Sequence, residues 1–282
     1  MGGGSFGATF EPAGILSLTT DFGLDDGYVG IMHGVAYGIA RGLAIVDLVH
    51  TIRAQDVLGA SFHMRSAWES FPAGTVHVIV VDPGVGTTRR SLVAAVHGQL
   101  FVAPDNGILP AIFAGRHGDA VAYGVLDAEN QISPSPSRTF HGRDLYAPVG
   151  ARLASGQLLP QDAVTASLDP SEAIQLPGTA PSFAAGRAQG VVIHTDHFGN
   201  AITCLDARDR RLRDLLERPC SVEVAGHVIP LVGTYGDAAE GDLVALVDSF
   251  GLLEVAEVGG DAAEGLGIEP GAPVALVVRD RR

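Results

Sequence analysis

The sequence predicts an α/β protein in two parts. The first is an N-terminal three-layer α/β/α domain on a mostly parallel sheet, and the second is a smaller C-terminal domain of barrel-like β structure. Three observations predict this. Apolar strands alternate with helical patterns from residue 14 to about 165, the pattern of a sheet covered on both faces. Residues 168–186 are rich in Pro, Ala, Ser and Gly, a linker composition. Beyond them only short strands recur, separated by turn residues. The expected division is a loose tail over 1–13, an α/β domain over 14–167, a linker over 168–186 and a β domain over 187–282. A chain of 282 residues is long enough for this.

Taken in order, ILSLTT (15–20) is a short strand that ends in the polar tip Asp21-Phe22-Gly23. Residues 27–41 carry apolar or small residues at helical spacing, and AIVDLV (44–49) is the next strand. Residues 56–71 read as a helix with Asp56 as its cap. TVHVIVV (75–81) is a strand that delivers Asp82 to its tip. SLVAAVHG and QLFVAP (91–98 and 99–104) form a hairpin, Asp105-Asn106-Gly107 opens a further helical stretch, and 143–155 is a helix. The C-terminal strands are GVVIHTD, AITCL, CSVEV, HVIPLV, LVALVDS, LLEVAEV and PVALVV.

Composition excludes several classes. The formal net charge is −14, which repels phosphate backbones and argues against a nucleic-acid partner. All 18 basic residues are arginine, so a P-loop lysine and a Schiff-base lysine are both excluded. No apolar run approaches the roughly 18–20 residues that span a bilayer. The glycine-rich start lacks a charged region followed by an apolar one, so it is not expected to be a signal peptide. Phe6 breaks the myristoylation pattern. Cys204 and Cys220 lack metal-type spacing and fit a cytoplasmic chain. No expected strand leads into a G-x-S-x-G elbow, the one such string being residues 3–7 of the glycine-rich start, and an H-E-x-x-H motif and a G-x-G-x-x-G after the first strand are absent from the sequence.

Four polar clusters stand where an apolar element should end. Asp21, with Thr20 and Asp26, is either a cap and turn or a strand-tip acid that accepts hydrogen bonds from a sugar diol. In VIVVDPGVGTTRR (78–90), Asp82 at a strand tip faces Arg89 seven residues on. This is a structural ion pair or a site in which a carboxylate orients or activates water. His141 sits in Arg138-Thr-Phe-His-Gly-Arg143-Asp144, near the start of a helix, as a surface histidine or as part of a site. In His194-Thr-Asp196-His197-Phe-Gly-Asn200 the two histidines are placed poorly for one metal ion, and Asp196 and Asn200 could grip an amino-acid moiety.

Six motifs, TTDFGLDDGYVG, VVDPGVGTTRR, VAPDNG, RTFHGRD, HTDHFGN and DSFGLLEVA, occur in the order found in the S-adenosyl-L-methionine (SAM) hydroxide adenosyltransferases, which the sequence resembles over roughly residues 15–280. These hydrolases form adenosine and L-methionine and are related to the SAM-dependent fluorinase and chlorinase. The resemblance implies a homotrimer that binds SAM where the N-terminal domain of one subunit meets the C-terminal domain of the next. It implies no cofactor, SAM being the substrate, and no metal. It assigns Asp82, Arg89 and His141 to water activation, Asp21 to the ribose and Phe140 to the ribose and C5′ region. Asp196, Asn200 and Ser249 are assigned to the methionine amino and carboxylate groups, with Phe250 and Glu254 in the same segment. The fluorinase carries tyrosine in place of Asp82 and serine in place of Gly142, so charge here favours water over halide. Gln55 replaces an aromatic residue of the halogenating relatives, and Asp248 replaces the usual asparagine. The rival expectations are a chlorinase and a protein that binds SAM or adenosine without turning it over.

Overall fold

The computed structural model describes residues 6–7, 10–114, 120–177 and 179–279. Residues 1–5, 8 and 9 of the expected tail, and residue 178 of the expected linker, lie outside the described residues. The chain forms two compact units, the first running to Leu176 and the second starting at Pro177.

The first unit holds seven strands: β1 Ile15–Thr20, β2 Ala44–Val49, β3 Val76–Val80, β4 Ser91–Val96, β5 Gln99–Pro104, β6 Ala122–Leu126 and β7 Val164–Leu168. Their order in the sheet is β2-β1-β3-β5-β4-β6-β7. The first four are parallel neighbours, and the β4–β5 hairpin starts an antiparallel extension. Thr20 pairs with Val80, so the chain leaves β1 at Asp21 and β3 at Asp82 on the same edge of the sheet. This is the carboxyl edge, where open α/β sheets bind ligands.

Both faces of the sheet are covered. Alternate residues Val76, Val78 and Val80 join a core with the helices Tyr28–Ile39 and Ala147–Ala154. Ile79 and Val81 join a second core with the helix Val57–Ala67 and the short helix Ile108–Ile112. The near-continuous apolar run of β3 is thus explained by burial on both sides. Asp56 caps its helix as expected, accepting from the Gly59 N–H at 2.8 Å.

Strands β6 and β7 were missed at the sequence level because small and polar residues dilute their pattern. The helix expected over 143–155 begins one residue earlier, and its first part is a π-turn at Gly142–Tyr146 ahead of the α-helical Ala147–Ala154.

The second unit holds β8 Ser182–Ala184, β9 Arg187–Thr195, β10 Ala201–Asp206, β11 Cys220–Val224, β12 His227–Pro230, β13 Leu243–Val247, β14 Leu252–Glu257 and β15 Pro273–Val278. The order β12-β11-β15-β9-β10-β14-β13 nearly closes into a barrel, with β8 added on β9. A bridge between Leu231 and Ala245 links its two ends, and the Val232 N–H donates to the Ala245 carbonyl at 2.8 Å. Closure of this kind removes exposed sheet edges. Among the described residues no helix is long and apolar enough to cross a membrane.

One buried polar chain crosses the first sheet. His77 on β3 accepts from the Ser17 hydroxyl at Nδ1 (2.6 Å) and donates from Nε2 to Gln99 Oε1 (2.7 Å). The Gln99 amide donates in turn to the Phe71 carbonyl at 3.1 Å, which fixes its orientation. Burial pushes the His77 imidazole down from 6.5 to about 4, against the pull of Gln99. Between those values the unfolded chain binds this proton and the folded chain does not, so stability falls as pH falls. Denaturant unfolding at pH 7 and at pH 4 should therefore differ by about 3 kcal/mol from this group alone. A His77→Gln variant that folds should lose correspondingly less on acidification.

Candidate active site

Three segments converge at the carboxyl edge of the first sheet. Asp82 follows β3, and the turn after it folds tightly: the Val85 N–H reaches the Asp82 carbonyl (3.2 Å) and the Thr87 N–H the Gly84 carbonyl (3.2 Å). The strand end is pinned from the side by Asn106, whose Nδ2 donates to the Val81 carbonyl at 2.8 Å. The turn returns Arg89 to Asp82, donating from Nε to Oδ1 at 2.7 Å and from Nη2 to Oδ2. Two parallel bonds of this kind fix the carboxylate plane as well as its position. The two side chains are only 4% and 10% exposed.

Arg89 also donates from Nη2 to His141 Nδ1 at 3.2 Å, and from Nη1 to the Ser91 hydroxyl at 3.1 Å. Burial opposes the charge of Arg89, but Asp82 and Tyr146 together outweigh that and hold its proton more tightly than usual. His141 is shifted the other way: burial and then the Arg89 charge lower it, against Asp82 and Asp144. A guanidinium has only donors, so Nδ1 of His141 must accept. His141 is therefore neutral, with its proton on Nε2.

The His141 segment is locked onto the Asp82 turn. Gly86, at φ +78°, packs against the Arg138 carbonyl, and a Cβ there would lie 2.4 Å from that oxygen. Asp144, itself buried, accepts from the Ser137 N–H at 2.6 Å and from Arg143 Nε at 2.7 Å, which closes the loop around His141.

Asp21 accepts from the backbone N–H of Gln55 at 2.7 Å. Gln55 holds φ +66°, a conformation unusual for a residue with a Cβ, so it acts here through its main chain. Thr20 beneath takes the Phe22 N–H at 3.3 Å and pairs with His50 Nδ1 at 2.8 Å, and His50 Nε2 pairs with Asp47 at 2.9 Å. Phe140 meets Tyr28 and Phe22 edge-on, with ring centroids 5.2 and 5.8 Å away. Asp21, Phe140, His141, Gly142 and Asp82 all line one cavity of about 430 Å³. Gly142 is crowded: an added Cβ would lie 3.2 Å from both the Phe140 and Phe22 rings.

The other sequence-selected residues lie in the second unit. Asp196 Oδ1 accepts from the Phe198 and Asn200 N–H groups, both at 2.9 Å, and Oδ2 from the Asn200 side chain at 3.0 Å. Its oxygens are thus engaged in folding the β9–β10 turn. Ser249 and Phe250 lie exposed on the β13–β14 turn, where Asp248 accepts from the Phe250 and Leu252 N–H groups at 2.8 Å each. The pairing of β10 with β14 sets these turns at opposite ends of β10, because Ala201 faces Val255 while Asp206 faces Leu252. Glu254 lies between them, buried, and accepts from the Tyr235 hydroxyl. Burial raises the Glu254 carboxyl to about 7, the Tyr235 bond opposes this, and Asp248 and Asp196 push it further up.

Sequence reasoning missed Tyr235. With Phe198 and Asn200 it lines a second cavity of about 580 Å³. Its signal was an exposed aromatic in a turn, which is weak without the partner ring.

A strand-tip carboxylate clamped by arginine, beside an acid and aromatic rings in one cavity, defines an α/β enzyme with a solvent-reaching polar site. Comparison with known proteins identifies its family. The family model for the SAM hydroxide adenosyltransferase N-terminal domain matches residues 16–163, and that for the C-terminal domain matches residues 190–275. A (R)-S-adenosyl-L-methionine hydrolase from Salinispora tropica is 39% identical over 92% of this chain and 96% of its own. Another from Thermus thermophilus is 36% identical over 92% and 97%. A fluorinase from an Actinoplanes species is more distant, at 28% over 86% and 90%. The crystal structure of an uncharacterized conserved protein from Thermotoga maritima superposes with a TM-score of 0.79 at 32% identity, covering 93% of this chain and 99% of that one. The chain belongs to the SAM hydroxide adenosyltransferase family.

The contact between Gly86 and Arg138 yields a test. Gly86→Ala must adopt a left-handed conformation at a cost of about 1–2 kcal/mol, so Tm should drop by roughly 2–8 °C. The displaced loops should also lower turnover by up to about 10²-fold. Thermal unfolding and an activity assay on one sample read both.

Proposed function

We propose that this enzyme hydrolyses SAM to adenosine and L-methionine by in-line attack of water on C5′. The observation that carries this reading is the Asp82 carboxylate, clamped by Arg89 and exposed to the same cavity as Asp21 and Phe140. The hydrolase names of the relatives support it.

The leaving group is a sulfonium that departs as a neutral thioether and needs no proton. The site therefore needs a placed nucleophile and a base, not a strong acid. Water attacks C5′, the C5′–S bond breaks with its electron pair going to sulfur, and the water proton passes to Asp82. The Nε2–H of neutral His141 donates to the water oxygen and orients its lone pair. Arg89 holds the Asp82 carboxylate in one plane and fixes His141. Asp82 also attracts the sulfonium, but that attraction fades as the positive charge is lost, so positioning supplies most of the acceleration.

Asp21 accepts from the ribose hydroxyls, and Phe140 lines the sugar and C5′. In the second unit, the cavity with Phe198, Tyr235 and Asn200 fits the adenine base, through two aromatic faces and an amide. The Ser249–Phe250 turn holds the amino-acid end, with Glu254 behind it accepting from the Tyr235 hydroxyl. The shared grip of Asp196 and Asn200 with Ser249 that the resemblance implies is the second reading for the amino-acid end, and it is favoured by the action of both Asp196 and Asp248 on the Glu254 carboxyl.

Water is favoured over halide on two counts. An anionic Asp82 repels a halide ion, and Gly142 offers no hydroxyl and little room for one. A binding protein without turnover would have no use for a desolvated carboxylate at C5′. Neither cysteine forms a disulfide, which fits a cytoplasmic enzyme.

Incubation with SAM in ¹⁸O-water should place label in the adenosine 5′-hydroxyl. Formation of 5′-chloro-5′-deoxyadenosine in chloride, or tight binding without product, would overturn the reading. Asp82→Asn should retain SAM binding and lose about 10²–10⁴ in kcat. We further infer a homotrimer, as the resemblance to the family implies. Sedimentation equilibrium should give three times the 29.1 kDa chain mass.

A further inference from the structure

We propose that Ser91 and Tyr146 are positioning residues for this reaction: they fix the Arg89 guanidinium, which aligns Asp82 and His141 without itself touching the attacking water. The proposal rests on the reading of Asp82, Arg89 and His141 as the water site.

A guanidinium has five N–H donors. Nε and Nη2 engage the two Asp82 oxygens, Nη2 also engages His141 Nδ1 at 3.2 Å, and Nη1 engages Ser91 Oγ at 3.1 Å. The Tyr146 hydroxyl backs this guanidinium through Ser91 Oγ, and its ring lies beside the guanidinium carbon. These donor bonds are made to groups of the protein. Asp82 and His141 line the cavity, whereas Arg89 lies behind them. Water in that cavity meets a carboxylate oxygen and an imidazole N–H.

The two hydroxyls form the back wall. Ser91 Oγ and Tyr146 Oη are 2.8 Å apart, and both residues are buried. Burial pushes the Tyr146 hydroxyl well above its ordinary range, so it stays a neutral donor at any working pH. The Arg89 carbon Cζ lies 5.8 Å from the Tyr146 ring centroid, so the ring also limits how the guanidinium can tilt.

The π-turn explains how one segment supplies both His141 and Tyr146. In an α-helix, residues five apart point about 140° from each other. Here the Ala147 N–H reaches the Gly142 carbonyl, a π-type bond that brings such residues nearer to one face. His141 and Tyr146 therefore reach the same guanidinium from one segment, a use that accounts for the irregularity.

The pairing sets the state of His141. Arg89 and Asp82 face it from the β3–β4 loop, and Asp144 faces it from its own segment. While Nη2 donates to Nδ1, the imidazole keeps its proton on Nε2. If the guanidinium tilts away, Nδ1 is free to take a second proton.

The test is Tyr146→Phe, with Ser91→Ala as a second variant that removes the same restraint from the other side. We expect kcat to fall about tenfold with KM for SAM within twofold, and the acid limb of the kcat profile to move to higher pH. In an Arg89→Lys background the added change should have less than a twofold effect. Imidazole ¹⁵N spectra should show His141 as the Nε2–H tautomer in the parent and a mixture in the variants. An equal fold-loss in both backgrounds, or unaltered kcat and ¹⁵N shifts in the variants, would overturn the proposal. A parent that releases no adenosine from SAM would end the functional reading instead, and the ¹⁵N signature would still decide the role of the two hydroxyls.

Discussion

The bidentate pair of Asp82 and Arg89 is the interaction on which the rest of the site depends. Two charges this far removed from water each cost several kcal/mol to desolvate. Such a pair is tolerated only when geometry and further hydrogen bonds compensate, and here they do so on every side. Asn106 pins the strand end, Ser91, backed by Tyr146, takes the far edge of the guanidinium, and His141 accepts from its Nη2. The same arrangement gives chemistry, because the carboxylate is fixed in one plane at the cavity and the imidazole in one tautomer.

The fold supplies this pair through a simple constraint. Parallel strands put their carboxyl ends on one edge, so β1 and β3 deliver Asp21 and Asp82 side by side. The turn after β3 then brings Arg89 back over seven residues, and a glycine at positive φ lets it lie against the Arg138 carbonyl. Asp21, Asp82 and His141 thus come from three distant parts of the chain and meet at one cavity without a long loop.

Nucleophile choice follows from charge and space together. An anion at Asp82 suits water and a cationic sulfonium and disfavours halide. The rings of Phe22 and Phe140 close on Gly142, so a side chain there would have to displace them. The relationship to a fluorinase is one of sequence, at 28% identity over 86% of this chain.

The sequence alone determined the strands that carry the site, because their apolar runs end abruptly on acids: ILSLTT on Asp21, and TVHVIVV on Asp82. It also determined the Asp56 cap and the short-strand character of the second unit, since both are local signals. The tertiary structure alone decided the rest. That Asp196 is engaged in folding its own turn, and that the Ser249 turn lies at the other end of β10, follow from strand register, which one segment does not encode. The π-turn that aims Tyr146 at Arg89, the hydroxyls behind the guanidinium and the neutral state of His141 depend on atoms more than fifty residues apart. Spacing can nominate a carboxylate and an arginine as partners. Only packing decides which of their hydrogen-bonding positions remain for the substrate.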